Sequence, residues 1–306
     1  DGFDRGGSNR GIVIVYQLRP DGDWDVLGSG LAGPDDYDNV GWTVSMSKDG
    51  NVVAYGASDK YTAVYAWDEG AGDWKERGTK ITWASRSGRS LALSADGSVV
   101  AIGVTGNNGV RVYEYDSGNN QWDLRDEIIR GSNNANVGAS VTLSSDGNTL
   151  VFGSPLSSGN RGSVETYTWD GSAGGRGGGN GKWTKVGNDL QGVSPGDYFG
   201  TAVKLNGDGT ILAVGSPGLS SEDSGLPGQT TSTAWTVRVY ESAGPLGWQI
   251  LGTAVAGGTE ARGVNRGEPN LSVALNAKGR MLVVGSALNS EGGDERGMVS
   301  VYRYNN

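Results

Sequence analysis

One motif occurs five times along this chain and limits it more than any other feature. The turns Lys48-Asp49-Gly50, Ala95-Asp96-Gly97, Ser145-Asp146-Gly147, Gly207-Asp208-Gly209 and Ala277-Lys278-Gly279 each follow a strand of alternating small and apolar residues. Each turn leads into an apolar strand that ends in glycine, at Gly56, Gly103, Gly153, Gly215 and Gly285. A strand of the form Val-x-Val-Tyr comes next, with its tyrosine at Tyr65, Tyr113, Tyr167, Tyr240 and Tyr302, and once more at Tyr16 near the N-terminus. A single tryptophan follows at Trp24, Trp74, Trp122, Trp183 and Trp248. A repeat of about 45 to 70 residues with four strand signals is the pattern of a β-propeller blade. One such sheet cannot bury both of its faces, whereas stacked neighbours can.

Within the unit, the first strand alternates with period two, so its two sides face different surroundings. Val44 and Met46, Leu91 and Leu93, Val141 and Leu143, Val203 and Leu205, and Val273 and Leu275 form one side. The other side is small, as in Ser90 and Ala92 or Ser140 and Thr142, with Lys204 as the exception. Small side chains let an adjacent sheet approach closely, as the crowded centre of a propeller demands. The Asp-Gly pairs predict two-residue hairpins with positive φ at both central positions. The second strands are near-continuous apolar runs, such as Thr149-Leu150-Val151-Phe152, which suit a strand covered on both faces. Five tryptophans at one register predict packing rather than a binding surface.

The fold class expected is all-β: a single β-propeller domain over residues 1–306 with four-stranded blades. Blade-like units fall at about 41–80, 87–130, 137–192, 199–256 and 269–306. Five full repeats are visible, plus one extra third strand. A five-bladed ring can close if the N-terminal strands within residues 11–32 complete the last unit. The alternative is a six- or seven-bladed ring whose missing strands lie outside this sequence or on a neighbouring molecule, and strand pairing between copies is a further expectation. The chain opens on Asp1 rather than Met, as an excised piece of a longer one would.

Composition narrows the chemistry. Glycine takes 55 of 306 positions, mostly at repeat positions or in loops, which fits a fold of many turns. The chain holds no cysteine, which excludes disulfides, thiolate metal sites and thiol catalysis. It holds no histidine, which removes the commonest general base and the commonest transition-metal ligand. The net charge of −9 and the lack of a basic patch make nucleic acid an unsuitable partner. No apolar run approaches the roughly 20 residues of a membrane helix, so no membrane insertion is expected.

Asp197-Tyr198-Phe199-Gly200, followed by Asn206-Gly207-Asp208-Gly209 and then Ala213-Val214-Gly215-Ser216-Pro217, resembles the FG-GAP repeat of integrin-α-like propellers. Gly153-Ser154-Pro155 is a second, partial match. The resemblance implies a propeller fold and a role in extracellular interaction or adhesion. The family's calcium loop places oxygen ligands around a tight turn, because Ca²⁺ takes six to eight of them. Here Lys204 and Leu212 occupy two ligand positions and only Asn206 and Asp208 remain, so no metal or cofactor is expected.

Candidate binding residues lie on the variable loops, where function tends to sit above a rigid frame. Asp35, Asp36 and Asp38 form an acidic cluster, which is either a cation site or a solvated loop. Trp83 and Arg86 pair an aromatic with a cation, a combination suited to sugar or carboxylate recognition. Asp197, Glu222, Asp223 and Asp294 could join the first cluster on one face. The first strands offer no carboxylate, which argues against an enzyme. The expected function is therefore a non-catalytic extracellular or cell-surface module for interaction, adhesion or structure, presenting loops to a protein or glycan. One alternative is a carbohydrate-binding propeller. The other is a carboxylate-dependent glycoside hydrolase, which needs two suitably spaced acids.

Overall fold

The computed structural model describes residues 8–82, 87–126, 129–130, 135–172, 181–218, 235–257, 271–287 and 297–304. Four short strands come first: Ile12–Val13 (β1), Tyr16–Leu18 (β2), Trp24–Val26 (β3) and Leu31–Ala32 (β4). The first blade comprises Val40–Met46 (β5), Val52–Ala57 (β6), Tyr61–Asp68 (β7), Asp73–Glu76 (β8) and Ile81–Thr82 (β9). The second comprises Ser87–Leu93 (β10), Val99–Val104 (β11), Gly109–Asp116 (β12), Gln121–Leu124 (β13) and Ile129–Arg130 (β14). The third comprises Ser140–Leu143 (β15), Thr149–Ser154 (β16), Ser163–Asp170 (β17), Lys182–Lys185 (β18) and Leu190–Gln191 (β19). The fourth comprises Ala202–Leu205 (β20), Ile211–Ser216 (β21), Thr236–Ser242 (β22), Trp248–Ile250 (β23) and Val255–Ala256 (β24). The fifth comprises Leu271–Leu275 (β25), Met281–Ser286 (β26) and Met298–Arg303 (β27).

Each of the first four blades is an antiparallel meander of four strands, with a short fifth segment pairing back onto the third strand. The first strands β5, β10, β15, β20 and β25 adjoin one another in succession, which makes them the inner edge of a five-bladed propeller. The cores lie between blades rather than within them. Ala92, Val99, Ala101, Val110 and Val112 of the second blade pack against Val141, Leu143, Leu150 and Phe152 of the third. The period-two alternation of the first strands therefore maps onto the two faces of each blade, one turned to the blade before and one to the blade after.

Two joints repeat along this inner edge. At the first, the glycine ending the second strand of one blade meets a positive-φ glycine at the start of the next. A β-carbon added at Gly56, Gly103 or Gly153 would lie 1.9, 2.0 or 1.8 Å from the carbonyl oxygen of Gly88, Gly138 or Gly200. The same carbonyls accept hydroxyl bonds, from Ser90 to Gly138 at 2.5 Å and from Ser140 to Gly200 at 2.7 Å. At the second joint, the hairpin turns form a chain of backbone bonds. Lys48 donates to Ala95, Ala95 to Ser145, Ser145 to Gly207 and Gly207 to Ala277, at 2.7 to 3.1 Å. The small face of the first strand adds to this: Ser45 accepts from the Leu93 amide and Thr142 from the Leu205 amide.

The hairpin turns differ from expectation in one respect. Only the glycines Gly50, Gly97, Gly147, Gly209 and Gly279 have positive φ; the residue before each does not. Each turn is closed by a bond from the glycine amide to the carbonyl three residues earlier, as in Gly50 to Ser47. That geometry leaves the preceding residue in the right-handed region, so Lys278 is accommodated without strain. The aspartates have another task. Asp49 accepts from the Ser47 hydroxyl and the Asn51 amide, and the same pattern holds Asp96 and Asp146.

Ring closure by the N-terminal strands is not what the structure shows. β1 pairs with β4 and β2 with β3, and neither pairs with β27. These strands sit on the first blade. Gly11 bridges to Val40, and Val13 and Val15 share a core with Tyr55, Tyr61 and Trp74. They occupy the place a preceding blade's third strand takes elsewhere, since Gly162 bridges to Phe199 in the same way. That position already anchors them, and β27 fills the third-strand position of the last blade.

Two predictions follow from the joints. Gly103→Ala and Gly153→Ala force the blades apart and should each destabilise the fold by about 1–3 kcal/mol in urea titrations, the usual cost of overpacking. Gly171→Ala, whose β-carbon would meet nothing nearer than 3.5 Å, is the control and should be neutral.

The turn aspartates give a pH dependence. The Ser47 hydroxyl bond lowers the pKa of Asp49 and the Thr210 hydroxyl bond lowers that of Asp208. For Asp96 and Asp146, burial opposes the shift, and the bonds from Ser94 and Ser98, and from Ser144 and Asn148, outweigh it. Carboxyls depressed in the folded state contribute stability that is complete above the unfolded pKa of about 4 and is lost as pH falls through the folded values. Urea midpoints should therefore drop below about pH 4, and Asp96→Asn with Asp146→Asn should make that drop shallower.

Candidate functional site

The acidic loop is a fastening. Asp38 is only 1% exposed. Its carboxylate accepts the Lys60 ammonium at 2.6 Å, the Asp35 amide at 3.1 Å and the Tyr61 hydroxyl at 3.2 Å. Burial pushes its pKa up, but the Lys60 bond and charge and the other two donors prevail and hold it below the ordinary aspartate value. Asp36 pairs with Arg10 at 2.9 Å on the surface, and its carbonyl accepts from Lys60. Asp35 contributes only its amide to this network. Among the described residues, no three acidic side chains are grouped as a metal site would require.

Asp197 turns out to be the same device in another blade. Its carboxylate accepts the amides of Val193 at 2.6 Å and Ser194 at 3.0 Å. Val40 follows Asp38 at the spacing at which Phe199 follows Asp197, and both are fully buried. A left-handed residue stands between in each case, Asn39 in one and Tyr198 in the other. A positive-φ glycine ends each segment, Gly41 and Gly200. The segment Asp197-Tyr198-Phe199-Gly200 is therefore a blade joint. The aspartate caps the loop, Phe199 plugs the core edge-on to Tyr240, and Gly200 reaches the preceding blade. Asp38 and Asp197 belong to separate networks with no partner in common. Trp83, Arg86, Glu222, Asp223 and Asp294 lie outside the described residues.

Asn206 and Asp208, the remnants of the calcium-loop pattern, satisfy one another. Asn206 donates to Asp208 at 2.7 Å and accepts the amides of Thr210 and Ile211, while Asp208 accepts from Thr210. Their oxygens serve the hairpin.

Sequence reasoning did not single out two cavities between the outer parts of adjacent blades. One, of about 380 Å³, lies between the third and fourth blades. It is lined by hydroxyls of Thr166, Thr168, Thr184 and Ser242, with Lys185 and Trp248. Lys185 bridges Glu165 at 2.8 Å and Asp189 at 2.5 Å, and these bonds raise its pKa against the pull of desolvation. The other, of about 300 Å³, lies between the fourth and fifth blades and is lined by Val239, Leu251, Leu282, Tyr302, Arg303 and Tyr304.

No known family's sequence pattern matches the chain, and no curated protein matches it. Solved structures do. It is similar to a candidate 6-phosphogluconolactonase from Bacteroides uniformis (TM-score 0.62, 12% identity, 97% of this chain and 75% of that one). A protein from Lactobacillus plantarum is similar to the same degree (TM-score 0.61, 14% identity, 97% and 75%). Hydrazine synthase from Kuenenia stuttgartiensis follows (TM-score 0.55, 14% identity, 86% and 62%). At such identities the likeness establishes a shared propeller fold alone.

Asp38→Ala should leave Lys60, Tyr61 and the Asp35 amide without their acceptor and cost about 1–3 kcal/mol in chemical denaturation. Asp36→Ala, which removes one surface ion pair, should cost below about 1 kcal/mol. Millimolar Ca²⁺ should leave the melting temperature unchanged.

Proposed function

We propose that the chain is a non-catalytic interaction module, extracellular or at the cell surface, that presents the loops of one propeller face to a protein or glycan. The observation that carries this reading is what the carboxylates do. Asp38, Asp197, Asp49, Asp96, Asp146 and Asp208 are all engaged by amides, hydroxyls or a lysine that brace loops and turns. Carboxylates so engaged are poorly placed to act as general acids or bases, because their lone pairs are already occupied by the donors that brace the frame. The inner strands add only Arg89 and Lys204 as charges, and Arg89 is bound in two bonds of 2.9 Å to Asp59. The resemblance to the FG-GAP repeat supports an extracellular setting.

A second reading, carbohydrate binding, draws on the cavity between the third and fourth blades. Clustered hydroxyls, an ammonium and an indole suit the alternating polar edges and apolar faces of a sugar ring. A glycan array on the purified chain separates the two. Saturable binding that Thr168→Val and Trp248→Ala each weaken at least tenfold would select the glycan reading. Capture of a protein ligand that these variants leave intact would select the first. Turnover in a broad polysaccharide screen would overturn both in favour of a glycoside hydrolase.

A further inference from the structure

Three seams join the four complete blades, and the first two are closed in the same way. The residue just after the fourth strand, Arg77 in the first blade and Arg125 in the second, reaches an aromatic ring of the next blade. Arg77 lies over Tyr115 at 4.2 Å and Arg125 over Trp169 at 4.8 Å. Arg125 also donates to the Glu114 carboxylate at 3.0 Å and to the Gly147 carbonyl at 3.1 Å. The apolar cores of these seams hold Val52 and Val64 in the first and Val99 and Val112 in the second, all buried.

The seam between the third and fourth blades departs from this arrangement at five positions, and all five line the cavity of about 380 Å³. Val186 stands where the arginines stand, since its amide bonds to Thr166 as Arg77 bonds to Val64 and Arg125 to Val112. Ser242 takes the place of the aromatic, opposite Trp248 as Tyr115 is opposite Trp122 and Trp169 opposite Trp183. Thr168 replaces Glu114, and it faces Thr149 where Glu114 faces Val99. Thr149 and Thr166 thus occupy the two valine positions, to which the fourth blade returns Ile211 and Val239. The indole also changes partner. Trp74 and Trp122 are buried and donate to backbone carbonyls, of Leu27 and Arg77. Trp248 is only half-buried and donates to the Thr166 hydroxyl at 2.8 Å.

These changes share one sense. Both members of the Arg125–Glu114 ion pair give way to uncharged residues, the aromatic lid to a serine, and two valines to threonines. A seam that had merely lost its lid would keep its valines, because a threonine there brings a hydroxyl that the seam must desolvate. Lys185, the charged residue on the wall, is held by Glu165 and Asp189 and has no free charge to offer. What remains is an uncharged, hydroxyl-lined cleft with an indole on one side. Its volume is near the lower end of the range for ligand sites, about 300–1,000 Å³, which suits one ring rather than a chain of them.

We infer that this seam takes a single neutral pyranose ring. The face of Trp248 covers the ring's apolar side, and the hydroxyls of Thr149, Thr166 and Thr168 meet its polar edge. Thr166 already accepts from the indole, which leaves its own proton to donate to the sugar. The inference rests on the carbohydrate reading above and narrows it to one seam, one ring and no charge.

The test uses the full chain and the indole N–H signals of its tryptophans in nuclear magnetic resonance, with that of Trp248 assigned by its loss in Trp248→Phe. Titration with methyl pyranosides of neutral hexoses and N-acetylhexosamines should shift the Trp248 signal saturably. A uronic acid and an amino sugar should bind at least tenfold more weakly. Thr168→Glu, Val186→Arg and Ser242→Trp together rebuild the closure of the second seam, and this variant should lose the shift while its urea midpoint stays at or above that of the wild type. Thr149→Val with Thr166→Val, which keeps the shape and removes two hydroxyls, should weaken binding at least tenfold and serves even where the triple variant does not fold. Sugar binding that survives both variants, or that prefers a charged sugar, would overturn the inference and leave the carbohydrate reading standing. No binding of any sugar, with the cleft merely hydrated, would sink both.

Discussion

The closeness of one sheet to the next at the inner edge governs this molecule. A glycine α-carbon on the second strand of one blade touches a glycine carbonyl at the start of the next, with no room for a methyl group between them. That contact sets the distance at which the apolar faces meet, and burial between blades follows from it. Serine hydroxyls on the first strands then satisfy the carbonyls that this close approach removes from water. The turn-to-turn chain of backbone bonds ties the blades together at the end where the hairpins lie.

The same repeat explains what the loop and turn aspartates do. A loop that must pass from the outer strand of one blade to the inner strand of the next needs its amides capped. Asp38 and Asp197 do this from equivalent positions. Each hairpin that begins a blade needs its hydroxyl and amide donors met, and Asp49, Asp96, Asp146 and Asp208 meet them. These six aspartates are spent on amide, hydroxyl, side-chain amide and lysine donors of the frame. The cavities between blades are lined instead by residues such as Lys185, Trp248 and Arg303.

The repeat legible in the sequence reached far. The five Asp/Lys-Gly turns, the glycines ending the second strands and the paired Tyr and Trp positions all occupy equivalent places in successive blades. The exceptions are instructive. Trp24 looks like its four counterparts in sequence yet stands in solvent, because the blade it would seal has no inner strands in the described structure. The acidic cluster of Asp35, Asp36 and Asp38 resembles a cation site only until Lys60 is known to lie against it, some twenty residues further on and across the loop. The Asp197-Tyr198-Phe199-Gly200 segment, a family-like signature in sequence, acts here as a joint between sheets.

The sequence alone determined the all-β class, the strand order within a blade and the small inner face, because period-two alternation and glycine-bearing turns are local consequences of backbone geometry. Tertiary structure decided how the ring's two ends stand, which aspartates are buried and where cavities open. Those outcomes depend on contacts between residues far apart in the chain, such as Gly11 with Val40 or Lys60 with Asp38, and no local pattern encodes which of two equivalent strands will occupy one position. The strands β1, β2 and β27 carry the same Val-x-Val-Tyr pattern, and only packing against the first blade or the last told them apart.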